Sequence, residues 1–209
     1  MLTPSTSSTP SASPSRSGVH LPSLAGVLVL AAFGVSVVRD PDGWRFIDGV
    51  NLLIHEGGHP LFSVFGEFMA YAGGTLMQLL VPLAFTAYFL RAGQRFGAAA
   101  TLCWTGESLF NVARYAADAR ARLLPLVGGD GVGHDWTYML ARLGLLESDL
   151  AVARGIRLLG ALLLLAGVLV ALRAALSAER RPAASALQAE DAAFARYLAE
   201  QEADTRRSS

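Results

Sequence analysis

The sequence predicts an all-α membrane protein: a bundle of four to five membrane helices with a short loop-helix insertion and a polar C-terminal helix. Three observations lead there. Hydrophobic residues make up 53% of the chain and charged ones only 16%, against about 25% charged in a soluble globular domain. The apolar residues are gathered into long uncharged blocks, the pattern of bilayer-spanning segments. Glycine, proline and arginine punctuate those blocks and mark where each helix turns back.

Residues 1–18 form a disordered leader. Thirteen of the eighteen are Ser, Thr or Pro, and such a segment buries too little apolar surface to offset its ordering entropy. The apolar run Leu21–Val38 follows, near the lower length limit for a spanning helix. The long polar leader and the lack of a small-x-small site before Arg39 favour an uncleaved anchor over a signal peptide. Pro41 and Gly43 make a turn, and a second helix starts near Phe46. Phe68–Leu90 carries no charge and is the clearest span, with Gly73 and Gly74 delaying its start behind a connector, FGEFMAYAGG. Phe96 to about Arg122 is a further helix, apolar at first and then polar. A glycine-rich loop, LVGGDGVGHDW, leads to a short helix over Trp136–Leu146. Leu158–Leu172 is an apolar core that Arg157 and Arg173 extend to membrane length by snorkelling. Residues 19–178 thus form the membrane-embedded domain. Residues 179–209 form a polar tail, where Leu187, Phe194 and Leu198 lie on one side of an amphipathic helix.

Net charge is zero and all seventeen basic residues are arginine. The chain has neither a basic tail nor aromatic-basic interleaving, so nucleic acid is not an expected partner. The bilayer is. The absence of lysine fits a high-GC bacterium and so a bacterial cell membrane. Cys103 is the only cysteine, which excludes an internal disulfide and a thiolate cluster.

One stretch departs from this oily background: NLLIHEGGHPLF, Asn51–Phe62. On a helix His55 and His59 differ by roughly 40° of rotation, so both imidazoles leave one face one turn apart. Two imidazoles so placed can bind one Zn2+, and Glu56 beside them can act as general base. Ionisable groups at membrane depth are costly and tend to mark function. Asp48 and Asn51 extend the same face into a polar stripe. Pro60 removes an N–H and is expected to kink or end the helix.

HEGGHPLF in an apolar helix, followed by FGEF and a glycine pair, resembles the site-2-protease family of intramembrane metalloproteases. The resemblance covers about residues 46–90. It implies His55 and His59 as zinc ligands and Glu56 as general base, with a membrane-protein or peptide substrate. The family's third ligand is an aspartate in an Asp-Gly motif on a later membrane helix. No helix here carries a clear match, and GDG at 129–131 lies in the loop.

A catalytic zinc takes three protein ligands and one open position. His134 is the preferred third ligand, because a neutral imidazole has no charge to desolvate. Asp135 beside it could orient an imidazole from behind or cap the helix that follows. Asp118 is the rival. Glu107, Asn111, Arg114 and Asp118 form one polar stripe that should face the HEGGH helix, Asn111 lying behind the metal. Arg114 and Asp118 could equally be an i,i+4 ion pair. His20 borders the leader and is set aside. The leading expectation is a membrane-embedded zinc metallohydrolase acting as a peptidase. The alternative is a metal-binding transporter or sensor without catalysis, and the plainest reading is a structural membrane subunit.

Overall fold

A computed structural model describes residues 21–127, 129 and 133–177, with the isolated positions 192, 194 and 196. The expected leader, the tail apart from those three positions, His20, and Asp130 and Gly131 of the GDG stretch lie outside the described residues.

Among the described residues, six α-helices follow one another: α1 (Leu21–Arg39), α2 (Phe46–Ser63), α3 (Glu67–Arg91), α4 (Arg95–Ala117), α5 (Asp135–Arg142) and α6 (Asp149–Ser177). A short 3-10 turn, Leu146–Ser148, precedes α6. Among the described residues there are no strands. Among the described residues, three helical stretches are long and apolar enough to cross a membrane: Pro22–Arg39, Glu67–Arg91 and Leu146–Leu176. The expected count was four to five. Helices α2 and α4 fall short because each devotes one face to polar groups. Asp48, Asn51 and His55 are buried on α2, and Glu107 and Ser108 on α4.

The helix ends follow glycine. Gly93 (φ 69°) and Gly144 (φ 69°) lie just beyond α3 and α5 in the left-handed region. Behind each, paired N–H groups reach back to the last helical carbonyls, Gly93 to Leu90 and Gln94 to Phe89, then Gly144 to Ala141 and Leu145 to Leu140. That pattern satisfies carbonyls the helix leaves orphaned. Gly66 (φ 103°) separates α2 from α3. It, rather than the pair Gly73–Gly74, ends the connector, so FGEFMAYAGG is helical from Glu67 onward. Pro60 lies inside α2, which continues to Ser63; it has no N–H to offer the Glu56 carbonyl.

Small residues set the helix crossings. A Cβ on Gly58 would collide with the Gly73 carbonyl of α3, and one on Gly73 would lie 2.6 Å from the Gly58 carbonyl. Gly106 and Gly160 bring α4 and α6 together in the same way: a Cβ on either would lie 2.8 Å from the other's carbonyl oxygen. Close backbone approach at small residues is how helices associate where lipid offers no hydrophobic drive. The apolar core is correspondingly thin and consists largely of alanines, Cys103, Phe110 and Leu164. The outside is oily: Leu158, Leu162, Leu165 and Leu169 run along α6, each about half exposed. Past α4, the Arg120 guanidinium forks onto both Asp149 oxygens at 2.9 and 2.7 Å, tying the chain leaving α4 to the start of α6.

Candidate metal centre

Helix α2 presents His55 and His59 on its inner face, as their spacing requires. The residue that meets them is Asp135, from the first turn of α5. Its Oδ2 lies 3.0 Å from His55 Nε2 and 3.5 Å from His59 Nε2. The three groups offer one ligand atom each within 4.8 Å of one another. His55 and Asp135 are buried, at 7% and 5% exposure, and His59 is half-buried.

The other ring nitrogens fix the chemistry of this convergence. His59 Nδ1 lies 2.7 Å from the Ala70 carbonyl. A carbonyl only accepts, so His59 carries its proton on Nδ1. His55 Nδ1 lies 3.2 Å from Gln78 Oε1, while Gln78 Nε2 donates to Asn111 Oδ1 at 3.0 Å and faces the Ser108 carbonyl at 3.5 Å. His55 therefore also carries its proton on Nδ1. With the rings neutral, each points an Nε2 lone pair at a carboxylate oxygen. Three electron-pair donors then converge, and a cation between them, a metal ion or a proton shared with Asp135, is what relieves their contact. Ligand atoms about 2.0–2.1 Å from a tetrahedral zinc stand about 3.3 Å apart, and the two distances to Asp135 bracket that value. A backbone carbonyl or an amide behind each imidazole is also the usual support of a ligating histidine. The residues present fit a metal cation.

His134 and Asp118 are not in this cluster. His134 caps α5: its Nδ1 accepts the Thr137 N–H at 3.3 Å. Its Nε2 faces Asp118 Oδ2 at 3.4 Å, in ion-pair range but not aligned for a hydrogen bond. Burial pulls the His134 imidazole below the ordinary histidine range, against the pull of Asp118. Asp118 accepts the N–H groups of Leu123 and Leu124, both at 2.9 Å, and so closes the turn after α4. The helix begins at Asp135 with His134 as its cap, one residue earlier than expected, and this aims Asp135 rather than His134 at α2. Arg114 does not pair with Asp118; it lines the cavity.

The α4 stripe does face α2. Asn111 donates to Asp48 Oδ1 at 3.0 Å, and Asn51 donates to Glu107 Oε2 at 2.8 Å. Asn111 stands behind Gln78, one residue further from the metal centre than His55's direct support. Gln78 and the Ala70 carbonyl were not singled out in the sequence. A glutamine in the otherwise uncharged block 68–90 was the available signal, since a buried polar side chain at that depth needs partners. Tyr115, whose hydroxyl accepts the Asp135 N–H at 3.3 Å, gave none.

A cavity of about 580 Å3 opens beside the cluster. Glu56, Arg114, Tyr115 and Trp44 line it together with His55, His59 and Asp135. Glu56 is half-buried and stands on the cavity wall next to the acceptor cluster. Gly74 of α3 lies against the His55 ring. A Cβ there would lie 2.5 Å from His55 Nε2 and 2.7 Å from Cδ2 and Cε1, driven into the face of the ligating ring. Gly74→Val is accordingly expected to abolish stoichiometric metal binding with all three ligands intact, while Gly57→Val, at a position with open space, leaves it unchanged. Metal analysis of both purified variants checks this, and full metal content in Gly74→Val would place the ion elsewhere.

No protein-family model matches the chain, and no curated protein or solved structure matches it either.

Proposed function

We propose that this chain is a zinc metallohydrolase embedded in a bacterial cell membrane, cleaving a membrane protein or peptide within or next to the bilayer. The observation that carries the reading is the convergence of His55, His59 and Asp135 beside a cavity that Glu56 shares. Three protein donors with cavity space next to them suit a metal with one position open to substrate, whereas a closed four-ligand site would suit storage or structure. The resemblance to site-2 proteases supports the same reading, with Asp135 as the third ligand, although Asp135 precedes Trp136 on the short α5 rather than a glycine on a membrane helix. In this reading α2 and α4 complete the bundle, polar faces inward and apolar faces toward lipid.

His55, His59 and Asp135 hold the metal. Zinc held there would supply Lewis acidity and lower the pKa of water to about 7. Glu56 accepts a proton at its carboxylate and delivers it to the departing amine nitrogen. Arg114 and Tyr115 present donors along the same cavity, where a scissile carbonyl can be oriented. The bundle walls exclude lipid from the polar groups, and the cavity admits water to them.

Metal removal tests the reading. Wild-type protein in detergent is expected to hold about one zinc per chain, to lose peptide hydrolysis on chelation and to regain it with zinc. His55→Ala/His59→Ala is expected to hold no zinc and to regain nothing. Stoichiometric zinc in the double variant would sink the metal assignment. Zinc bound without hydrolysis of any transmembrane or membrane-proximal peptide would leave a binding protein, the transporter or sensor alternative.

A further inference from the structure

Beside the Asn51–Glu107 pair, one file of polar groups between α2, α3 and α4 runs onto His55. Its far end is Asp48, 3% exposed. Asp48 Oδ2 accepts the Arg45 backbone N–H, the capping contact at the start of α2. Glu107 also reaches the Asp48 carboxyl, and Asp48 Oδ1 meets Asn111 Nδ2 at 3.0 Å. Next come Gln78 Nε2 on Asn111 Oδ1 at 3.0 Å and Gln78 Oε1 on His55 Nδ1 at 3.2 Å. Neither amide can choose its orientation freely. A carboxylate only accepts, so Asn111 must turn its NH2 to Asp48 and its oxygen to Gln78. Gln78 must then turn its NH2 to Asn111 and its oxygen to His55. The last link puts the His55 proton on Nδ1 and leaves Nε2 bare, facing Asp135.

We infer that Asp48 is a positioning residue for the metal centre: through Asn111 and Gln78 it sets the tautomer of His55, two amides away. The Ser108 carbonyl, 3.5 Å from Gln78 Nε2, supports the same orientation at long range. Asp48 itself touches neither the histidines nor the cavity.

The relay can be inverted. In Asp48→Asn the new side chain keeps its oxygen on the Arg45 N–H and offers NH2 to Asn111. Asn111 flips, Gln78 flips, and Gln78 offers NH2 to His55 Nδ1, which moves the proton to Nε2 and occupies the ligating lone pair. Asp48→Asn/Asn111→Asp reverses this. The introduced amide at position 48 donates to the introduced carboxylate at position 111. That carboxylate accepts from Gln78, and the Gln78 oxygen returns to His55. The amide and the carboxylate trade places with no net change in charge or composition.

The test reads the His55 tautomer in metal-free, 15N-histidine-labelled protein by long-range proton–nitrogen NMR, and zinc affinity by chelator competition. Wild type is expected to show the Nδ1–H form. Asp48→Asn is expected to shift toward Nε2–H and to bind zinc about 10- to 100-fold more weakly, as other losses of support behind a ligating histidine do. The exchanged double variant is expected to recover both. Asn111→Leu cuts the relay without touching the α2 cap and carries the test should Asp48→Asn not fold, with the same loss of affinity expected. An unchanged tautomer in Asp48→Asn and Asn111→Leu, or a double variant that recovers neither property, would overturn the inference. The affinity arm rests on the metal reading above and the tautomer arm does not. Tautomers that move as expected in a chain that binds no zinc would therefore refute the metal reading alone.

Discussion

Asp135→Ala is expected to weaken zinc binding by about 10^2- to 10^3-fold, while His134→Ala and Asp118→Ala stay within about tenfold of wild type. The magnitude follows from the total. Binding of about 10–16 kcal/mol shared among four positions leaves roughly 2.5–4 kcal/mol for each ligand. Asp135 meets both histidines at 3.0 and 3.5 Å, whereas His134 and Asp118 are occupied with the Thr137, Leu123 and Leu124 N–H groups. Their loss acts on folding instead. Removing the α5 cap in His134→Ala costs about 0.5–2 kcal/mol and lowers the unfolding temperature without emptying the site. Chelator competition and thermal unfolding, run on all three variants, separate the two effects. Affinity lost in His134→Ala but kept in Asp135→Ala would return the third ligand to the histidine. Asp135→Asn adds a control for charge, because it keeps the shape and removes the anion.

Why the sequence pointed to His134 is instructive. The preference rested on desolvation: a buried carboxylate is costlier than a buried imidazole. That holds for an isolated carboxylate and reverses beside a cation, where the anion supplies the stronger attraction. The deciding fact was geometric and non-local. It depends on α5 starting at Asp135, so that His134 turns back to cap the helix and Asp135 faces forward. No spacing within GVGHDW distinguishes those two starts. By contrast, the α2 site was legible because its information is local, in the i,i+4 rule and the oily flanks of HEGGH. The helices were legible where apolar blocks are uninterrupted, as in α1, α3 and α6. The α3 start was not, because Gly73 and Gly74 read as breakers from sequence alone. In the fold they sit mid-helix, where Gly73 admits the backbone of α2 at Gly58 and Gly74 admits the His55 ring. Apolar length overstated α4, since its inward face carries Glu107, Ser108 and Asn111. Those residues pair with α2 and α3, and such pairs become visible only when the three helices are in place.

Glu56→Gln is expected to keep zinc within a few-fold and to lose hydrolysis by about 10^2- to 10^4-fold, the usual worth of a positioned general base. Three features of Glu56 make it the candidate. It follows His55 directly, so the helix turns it roughly 100° away from the ligand face, onto the cavity wall. It is half-buried, so it does not compete with Asp135 for the acceptor cluster. Among the described residues, no backbone or side-chain hydrogen bond reaches its carboxylate, whereas Asp48 and Asp118 each hold two N–H donors. Those two carboxylates are committed to positioning the chain, and Glu56 is left with its lone pairs open to a proton. Glutamine preserves volume and polarity and removes only that capacity. The measurement is turnover of a transmembrane peptide by protein whose zinc content is determined in the same sample. Undiminished turnover removes Glu56 as the base. Lost zinc makes it a fourth ligand, and the site is then closed, which takes the hydrolase reading with it.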